Sequence, residues 1–498
     1  MKSFTLLFLV LLCSTFSHAQ VGINATGGID PSAALEIRSG TTPRGLLTPR
    51  MTTAERLIIA APADGLIVYD TDLKSFYHYK AAIVGPPAVP AAWIRMSSDV
   101  SGRLNFKRIK STDVLGTVLK DELTAGGGAK YKLNTNTLYE INGTVTFNFP
   151  IDLNNAYVQG LDSGEDKIEA AGNIFDGSTG GTIKGLTLVS TAGKVFNLSG
   201  LDAKNQNLIV RDGIIANSLS VGTINNFGLV FLSTIQFSAN TTGITYSNIS
   251  QLLLDKMGWF GDNLGTFEKL SGTFKLVQKQ GGFSEVNGTA IGFDVSENPS
   301  ITGDAVMESV VFTGILTGIG SYVKGYTTGS YTGYNFTEKW TVRCAGIPTE
   351  TDAVAVGDVN LDLDYGVGTT ITLSNNNTTA VKIGGPSTSN DFFRASNGDG
   401  QTTLKYLGNK KRFFTVDAVA SFRGTAQGST IYVFYIARNG TIIPRSKTYI
   451  FTSNANDVVA VPVQSIVEMA PNDTVDVRVT RYSGSSNMLL VSLSLFMR

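Results

Sequence analysis

Few side chains in this sequence can move a proton near neutral pH. Its 498 residues hold two histidines, His18 and His78, and two cysteines, Cys13 and Cys344. A Ser–His–Asp relay cannot be assembled from so few, and a zinc site needs several His or Cys ligands. Chemistry therefore falls to carboxylates. Asp162, Glu165 and Asp166 crowd into Gly160-Leu-Asp-Ser-Gly-Glu-Asp-Lys-Ile168. Glycoside hydrolysis needs only two carboxyl groups roughly 5 to 10 Å apart, so these three are catalytic candidates. Acids are also ordinary in a Gly/Ser turn. Arg211, the single arginine between residues 131 and 342, precedes Asp212. A polysaccharide lyase that removes a proton beside calcium-bound carboxylates would use such a basic residue; the plain alternative is a solvated charge pair.

Two further groups are candidates for binding. Trp259 and Phe260 stand between glycines in Met257-Gly-Trp-Phe-Gly-Asp262. Exposed rings there would take the apolar face of a sugar, whereas buried rings would plug a gap in a core. Asp358, Asp362 and Asp364 alternate with apolar residues, and with Asn360 they would share one strand face. Such hard oxygen ligands suit calcium, and a solvated face is the simpler reading. No cofactor fingerprint occurs, and none is expected.

The elements that must hold these residues are short. Apolar runs such as Leu208-Ile-Val210, Leu229-Val-Phe-Leu232, Gln251-Leu-Leu-Leu254 and Thr273-Phe-Lys-Leu-Val277 are separated by Gly, Asn, Ser and Thr. With Leu188, Ile209, Val230, Leu253, Leu276, Phe293 and Val311 as centres, they recur at spacings of about 17 to 23 residues, the length of one solenoid coil. Residues 131–342 are therefore expected to form a right-handed parallel β-helix. An antiparallel β-sandwich with irregular loops would also account for strands so spaced.

Bulk properties narrow the class. Charged residues make up 16% and hydrophobic ones 42%, with 54 glycines, which fits turn-rich all-β structure and not disorder. The net charge of zero leaves no footprint for nucleic acid. The length calls for several domains. Lys2, the apolar stretch Leu6 to Leu12 and Ser17-His18-Ala19 read as a secretory signal over residues 1–19. That stretch is too short to span a bilayer, and no later segment is apolar enough. A secreted, extracellular or cell-surface location is expected. The one mature cysteine, Cys344, can form no internal disulfide, so stability must come from packing or oligomerisation.

Read in order, residues 20–98 are a turn-rich module. Leu66 to Tyr69 and Phe76 to Tyr79 form a hairpin around Asp70-Thr-Asp-Leu-Lys74, and Thr52-Thr-Ala-Glu55 is a capping box. Residues 99–130 link to the solenoid, with Val114 to Leu123 as a capping helix. Tyr322, Tyr326 and Tyr331 mark the solenoid's exit, residues 343–403 are a connecting β segment with short strands over Val359 to Ile383, and residues 404–498 alternate as strands of a jelly-roll β-sandwich with an Asn439-Gly440 hairpin signal.

Three segments resemble known families. Val21-Gly-Ile-Asn24, Pro31-Ser-Ala-Ala-Leu-Glu-Ile37, the Arg44 to Arg56 stretch, Gly65 to Asp72 and Ser75-Phe-Tyr-His-Tyr79 resemble an N-terminal module of secreted Bacteroidetes surface proteins and of tail-fibre-like proteins of their phages. That resemblance implies attachment. Gly160 to Ile168, Leu186-Thr-Leu188 and Gly193-Lys-Val-Phe-Asn197 look like the opening coils of phage tail-fibre and tailspike β-helices. Tyr435-Ile-Ala-Arg-Asn-Gly440 and Met469 to Val477 resemble the complement-C1q and tumour-necrosis-factor jelly roll, which implies a homotrimer. Together they imply a fibre-like adhesin binding a cell-surface glycan or protein receptor through its C-terminal domain. The enzymatic alternative is a tailspike-type polysaccharide lyase or glycoside hydrolase.

Overall fold

The computed structural model describes residues 21–23, 29–30, 32–38, 45–83, 90–96, 105–135, 137–201, 205–374 and 378–498. The expected signal, 1–19, lies outside them. The chain divides into two compact units, 1–103 and 104–498.

In the first unit, strands Arg50–Met51, Ile67–Asp70, Ser75–Lys80 and Ala92–Arg95 form one sheet in that order, and Val21–Ile23 lies parallel to Leu35–Ile37. The hairpin and the capping box at Thr52 form as the residues dictate, the latter opening helix Thr53–Leu57. Asp70 ties the parts together. Its carboxylate accepts from Arg56 Nε at 2.9 Å, from Thr53 Oγ1, and from the backbone N–H groups of Asp72 and Leu73. The Arg56 guanidinium lies 4.0 Å from the centre of the Tyr77 ring.

The second unit opens with a parallel β-helix. One sheet has 13 strands and the other has 9, and all their pairings are parallel. Each coil crosses the first sheet, turns a corner within it, and returns along the second. From Asn207–Ala216 onward one bent strand makes that crossing, followed by Leu229–Ser238, Gln251–Trp259, Thr273–Glu285 and Ser300–Thr313. The bend falls at one stacked position. Asp212, Thr234, Lys256, Gly281 and Ser309 each have a positive φ there, between 49° and 63°. Left-handed backbone favours Gly, Asn and Asp, so Thr234, β-branched, is held by its neighbours and not by preference.

Stacking sets the interior. Leu208 sits on Val230, Leu252, Val277, Ala305 and finally Trp340, all buried. In the second sheet Phe175 stacks on Phe196 with ring centres 5.8 Å apart. A polar ladder runs up one corner. The Ser190 N–H donates to Ser218 Oγ, Ser218 N–H to Asn240 Oδ1, and Asn240 N–H to Asn263 Oδ1, at 2.9, 3.1 and 2.9 Å. It supplies buried backbone donors with acceptors where no strand does. One interior layer breaks the apolar pattern. Lys279 Nζ and a Glu268 carboxylate oxygen stand 2.8 Å apart with 1% and 0% of the side chains exposed. Tyr246 Oη, Ser284 Oγ and Trp259 Nε1 are also buried without a hydrogen-bond partner.

The boundaries depart from the expected ones. The solenoid begins within the supposed linker, because Phe106–Lys110 pairs with Leu138–Asn142. Helices Leu115–Val118 and Lys120–Ala125 follow, burying Leu115, Leu119 and Glu122, with Glu122 accepting from Lys107 Nζ and Tyr139 Oη. It ends at Trp340–Ala345. The supposed connector, 343–403, supplies integral strands of the following antiparallel sandwich. Val356–Asp362 and Thr369–Ile371 pair with Met488–Met497, and Val381–Lys382 pairs with Thr474–Ser483. Two sheets, one centred on Arg412–Gly424 and the other on Thr430–Arg438, enclose a core that includes Val416, Phe434, Val463 and Leu495. Arg394 fastens the sandwich to the last coil. It is 1% exposed, donates to the carbonyls of Trp340 and Glu350, and pairs with Asp352.

Removing one member of a buried ion pair strands the other charge. Lys279→Met should therefore destabilise the solenoid by about 3–5 kcal/mol, while Lys279→Met with Glu268→Leu should recover most of that loss. Denaturant midpoints of the three proteins check this.

Candidate functional site

The outward face of the bent strands carries a groove of about 580 Å³. Its floor comes from alternation: Ile215, Phe237 and Trp259 point inward, which turns Ile214, Ala216, Gln236 and Ser238 outward. Phe260 follows Trp259 out of its strand, is 38% exposed, and rests edge-on against Phe283 with ring centres 5.1 Å apart. Two carboxylates line the same groove, Asp262 and Glu285. Ser238 Oγ donates to Asp262 at 2.6 Å, and the Gly261 N–H donates to Glu285 at 3.1 Å. An aromatic platform beside two acids and an amide can hold a sugar ring.

A second cavity, about 730 Å³, lies where the solenoid's exit meets the sandwich. Tyr334 stacks on Phe393 at 4.0 Å, Tyr331 meets the same ring edge-on at 5.3 Å, and Asn390 and Asp391 add polar groups. Burial pushes the phenol pKa of both tyrosines up. The sequence marked Tyr331 only as part of the exit.

The expected site residues fare differently. Trp259 is no sugar platform: it is fully buried and stacks on Phe267 at 4.5 Å. Its neighbour Phe260 is the ring that reaches solvent. Asp166 is a structural anchor. Its carboxylate accepts from the N–H groups of Gly143, Leu161 and Asp162 at 2.8, 2.6 and 3.0 Å, holding the Asp162 turn against the previous coil. Burial works against its charge, yet the three donors outweigh that and its pKa is lowered. Asp162 accepts from the Gly164 N–H within the turn, and Glu165 faces solvent. Arg211 and Asp212 form an exposed coil corner, with Lys184 beside Arg211 on the strand below. These four do not converge on a cleft. Asp358 and Asp362 share the half-exposed strand face expected of them, but the strand ends before Asp364. The Asp358 carboxylate is taken up by the Asp391 N–H at 2.9 Å and by Asn360 Nδ2. Among the described residues no group of three or more His, Cys, Asp or Glu gathers as a metal site.

Asp262 and Glu285 escaped the sequence reading because nothing local joins them. The available signal was that they lie about one coil apart.

Asp166→Asn should cost about 1–3 kcal/mol by leaving a backbone donor without an acceptor. Because the folded pKa is depressed, the wild-type contribution is present above the ordinary value of 3.8 and lost as pH falls through the lowered one. The gap between variant and parent should therefore close in acid, as denaturation at both extremes would record.

Residues 22–105 match the family described as "Phage tail like trimerisation region". No curated protein matches. Among solved structures, the enzymatically active domain of tailspike protein 4 of bacteriophage CBA120 aligns over 91% of this chain and 76% of its own length, at 11% identity and a TM-score of 0.25. A likeness of that score speaks to neither site nor activity.

Proposed function

We propose that this chain is the subunit of a trimeric, fibre-like surface protein of the phage-tail kind that binds a glycan through its solenoid and sandwich unit. The observation that carries the reading is the coincidence of the trimerisation match with uncovered apolar surface. Within residues 22–105, Leu47 and Ile58 are each 79% exposed, and Ile23, Leu35, Leu46 and Leu57 are exposed as well. A small soluble unit rarely leaves that much apolar side chain in water, and two further copies of the same chain would cover it. The C1q-like resemblance leads one to expect trimerisation at the C-terminal domain; the family match supports a trimer contact at the N-terminal module, expected from its own resemblance to serve attachment. The C1q-like resemblance adds a second meeting place, supported by the exposed Tyr449, Phe451 and Tyr482 on one sheet of the sandwich. Secretion and the Bacteroidetes connection rest on the sequence alone. Among the described residues no helix is long and apolar enough to cross a membrane.

The mechanism is multivalency. Three weak glycan contacts on one assembly turn later binding events into intramolecular ones. Leu47→Asp with Ile58→Asp should yield monomers whose soluble-glycan affinity is unchanged but whose dissociation from a glycan-coated surface is about a hundredfold faster. Equal surface dissociation for variant and parent would refute the reading.

Asp262 and Glu285 in one groove favour a second reading, a glycan-cleaving enzyme. It predicts new reducing ends from a capsular polysaccharide, with the rate falling at least about a thousandfold in Glu285→Gln or Asp262→Asn. Binding without turnover leaves the first reading standing.

A further inference from the structure

A third cavity, about 490 Å³, opens between the outward face of the solenoid's last strands and the sandwich residues 409–412, a loop that enters strand Arg412–Gly424. It differs from the other two in charge. Alternation along Trp340–Ala345 buries Trp340 and Val342, so Thr341 and Arg343 face outward beside the exposed Lys339. From the sandwich come Lys410, Lys411 and Arg412. Five cations thus line a space with two acids, Asp304 and Asp352.

Two acids leave the five cations in excess, and one of the two, Asp352, is already taken up. Asp352 is engaged by Arg394 and accepts from the N–H groups of Asn409 and Lys410 at 3.1 and 2.9 Å. Those bonds fix the loop that delivers the sandwich's cations. Arg412 is fixed too, donating to the Asp352 carbonyl and lying 4.2 Å from the centre of the Phe414 ring. Lys411 is paired with Glu468 at 2.9 Å. Lys339, Arg343 and Lys410 have no ion pair among the described residues, although Glu308 sits across from Arg343 in the strand register. Lys339, Arg343 and Lys410, like charges brought together on a rigid joint, raise the local potential for an anion.

We propose that this cavity binds the anionic group of an acidic oligosaccharide, a uronate carboxylate or a sugar sulfate. Arginine's planar fork matches both groups, lysine supplies point charge, and Thr341 and Asn409 can bond to sugar hydroxyls. A concave, hydroxyl- and amide-lined space on a chain of zero net charge favours a sugar over a nucleic acid, which needs an extended basic stripe. The assignment deepens the glycan-binding reading and rests on it.

Isothermal titration of the purified full chain with oligogalacturonate, dextran sulfate, neutral dextran and single-stranded DNA tests it. One or both acidic sugars should bind, neutral dextran should not, and the ratio of the two affinities separates carboxylate from sulfate. Lys339→Ala with Arg343→Ala changes only exposed side chains and should weaken that binding at least about tenfold. Lys410→Ala, on the other wall, should weaken it as well, while Lys184→Ala, an exposed charge elsewhere on the solenoid, should leave it unchanged. No binding of either acidic sugar, stronger binding of DNA, or variants that bind like the parent would overturn the site. Sedimentation of the same samples keeps the two proposals apart. A trimer that binds glycans independently of these residues refutes this site alone, and a monomer refutes the assembly.

Discussion

Each coil of the solenoid is satisfied only by the coils above and below it. Its strands have no partners within their own turn, so their backbone groups pair one coil away and their buried side chains pack against the neighbouring coils as well as across their own. The consequences reach across the second unit. They dictate the uninterrupted column from Leu208 to Trp340, and the Ser218–Asn240–Asn263 ladder where the backbone leaves the sheets. They also dictate the stacked left-handed corner at Asp212, Thr234 and Lys256. The same constraint requires both ends to be closed. Helices Leu115–Val118 and Lys120–Ala125 follow the first strand and bury Leu119, and the Arg394 contacts join the last coil to the sandwich.

Function follows from what such a stack leaves on its outside. Alternation delivers one outward residue in two, and stacking aligns those residues into rows. Residues far apart in sequence thereby become neighbours in a groove, as Gln236, Phe260 and Glu285 do. The sandwich joint adds what rows cannot, side chains approaching from a second direction. The aromatic and the cationic cavities both arise there. Inside, the Glu268–Lys279 layer runs against the apolar rule and leaves polar atoms unpaired. Burying charge gains little stability over apolar packing.

Much of the fold was legible because a solenoid writes its period into the sequence. The runs at Ile209, Val230, Leu253 and Leu276 do lie on consecutive strands of one sheet. Phe293 belongs to the other sheet and Val311 to the far side of the corner, so the apparent shortening of the repeat was a change of face. The true steps lengthen, from Leu252 to Val277 to Ala305. Strand character around Val356–Asp362 is legible in the alternation, but its membership of the sandwich is not, because its partner, Met488–Met497, is remote and antiparallel pairing at that distance leaves no local mark. The site was less legible. Trp259 and Phe260 are adjacent and chemically alike, and only strand phase decides that one is core and the other surface.

The assembly is the claim on which the binding account turns, and native mass spectrometry of the intact protein measures it directly. The full 498-residue sequence has a mass of 53.0 kDa, before removal of the expected signal. The account predicts a single species of three subunits that persists on dilution to the nanomolar range. A dominant species at the subunit mass would contradict it.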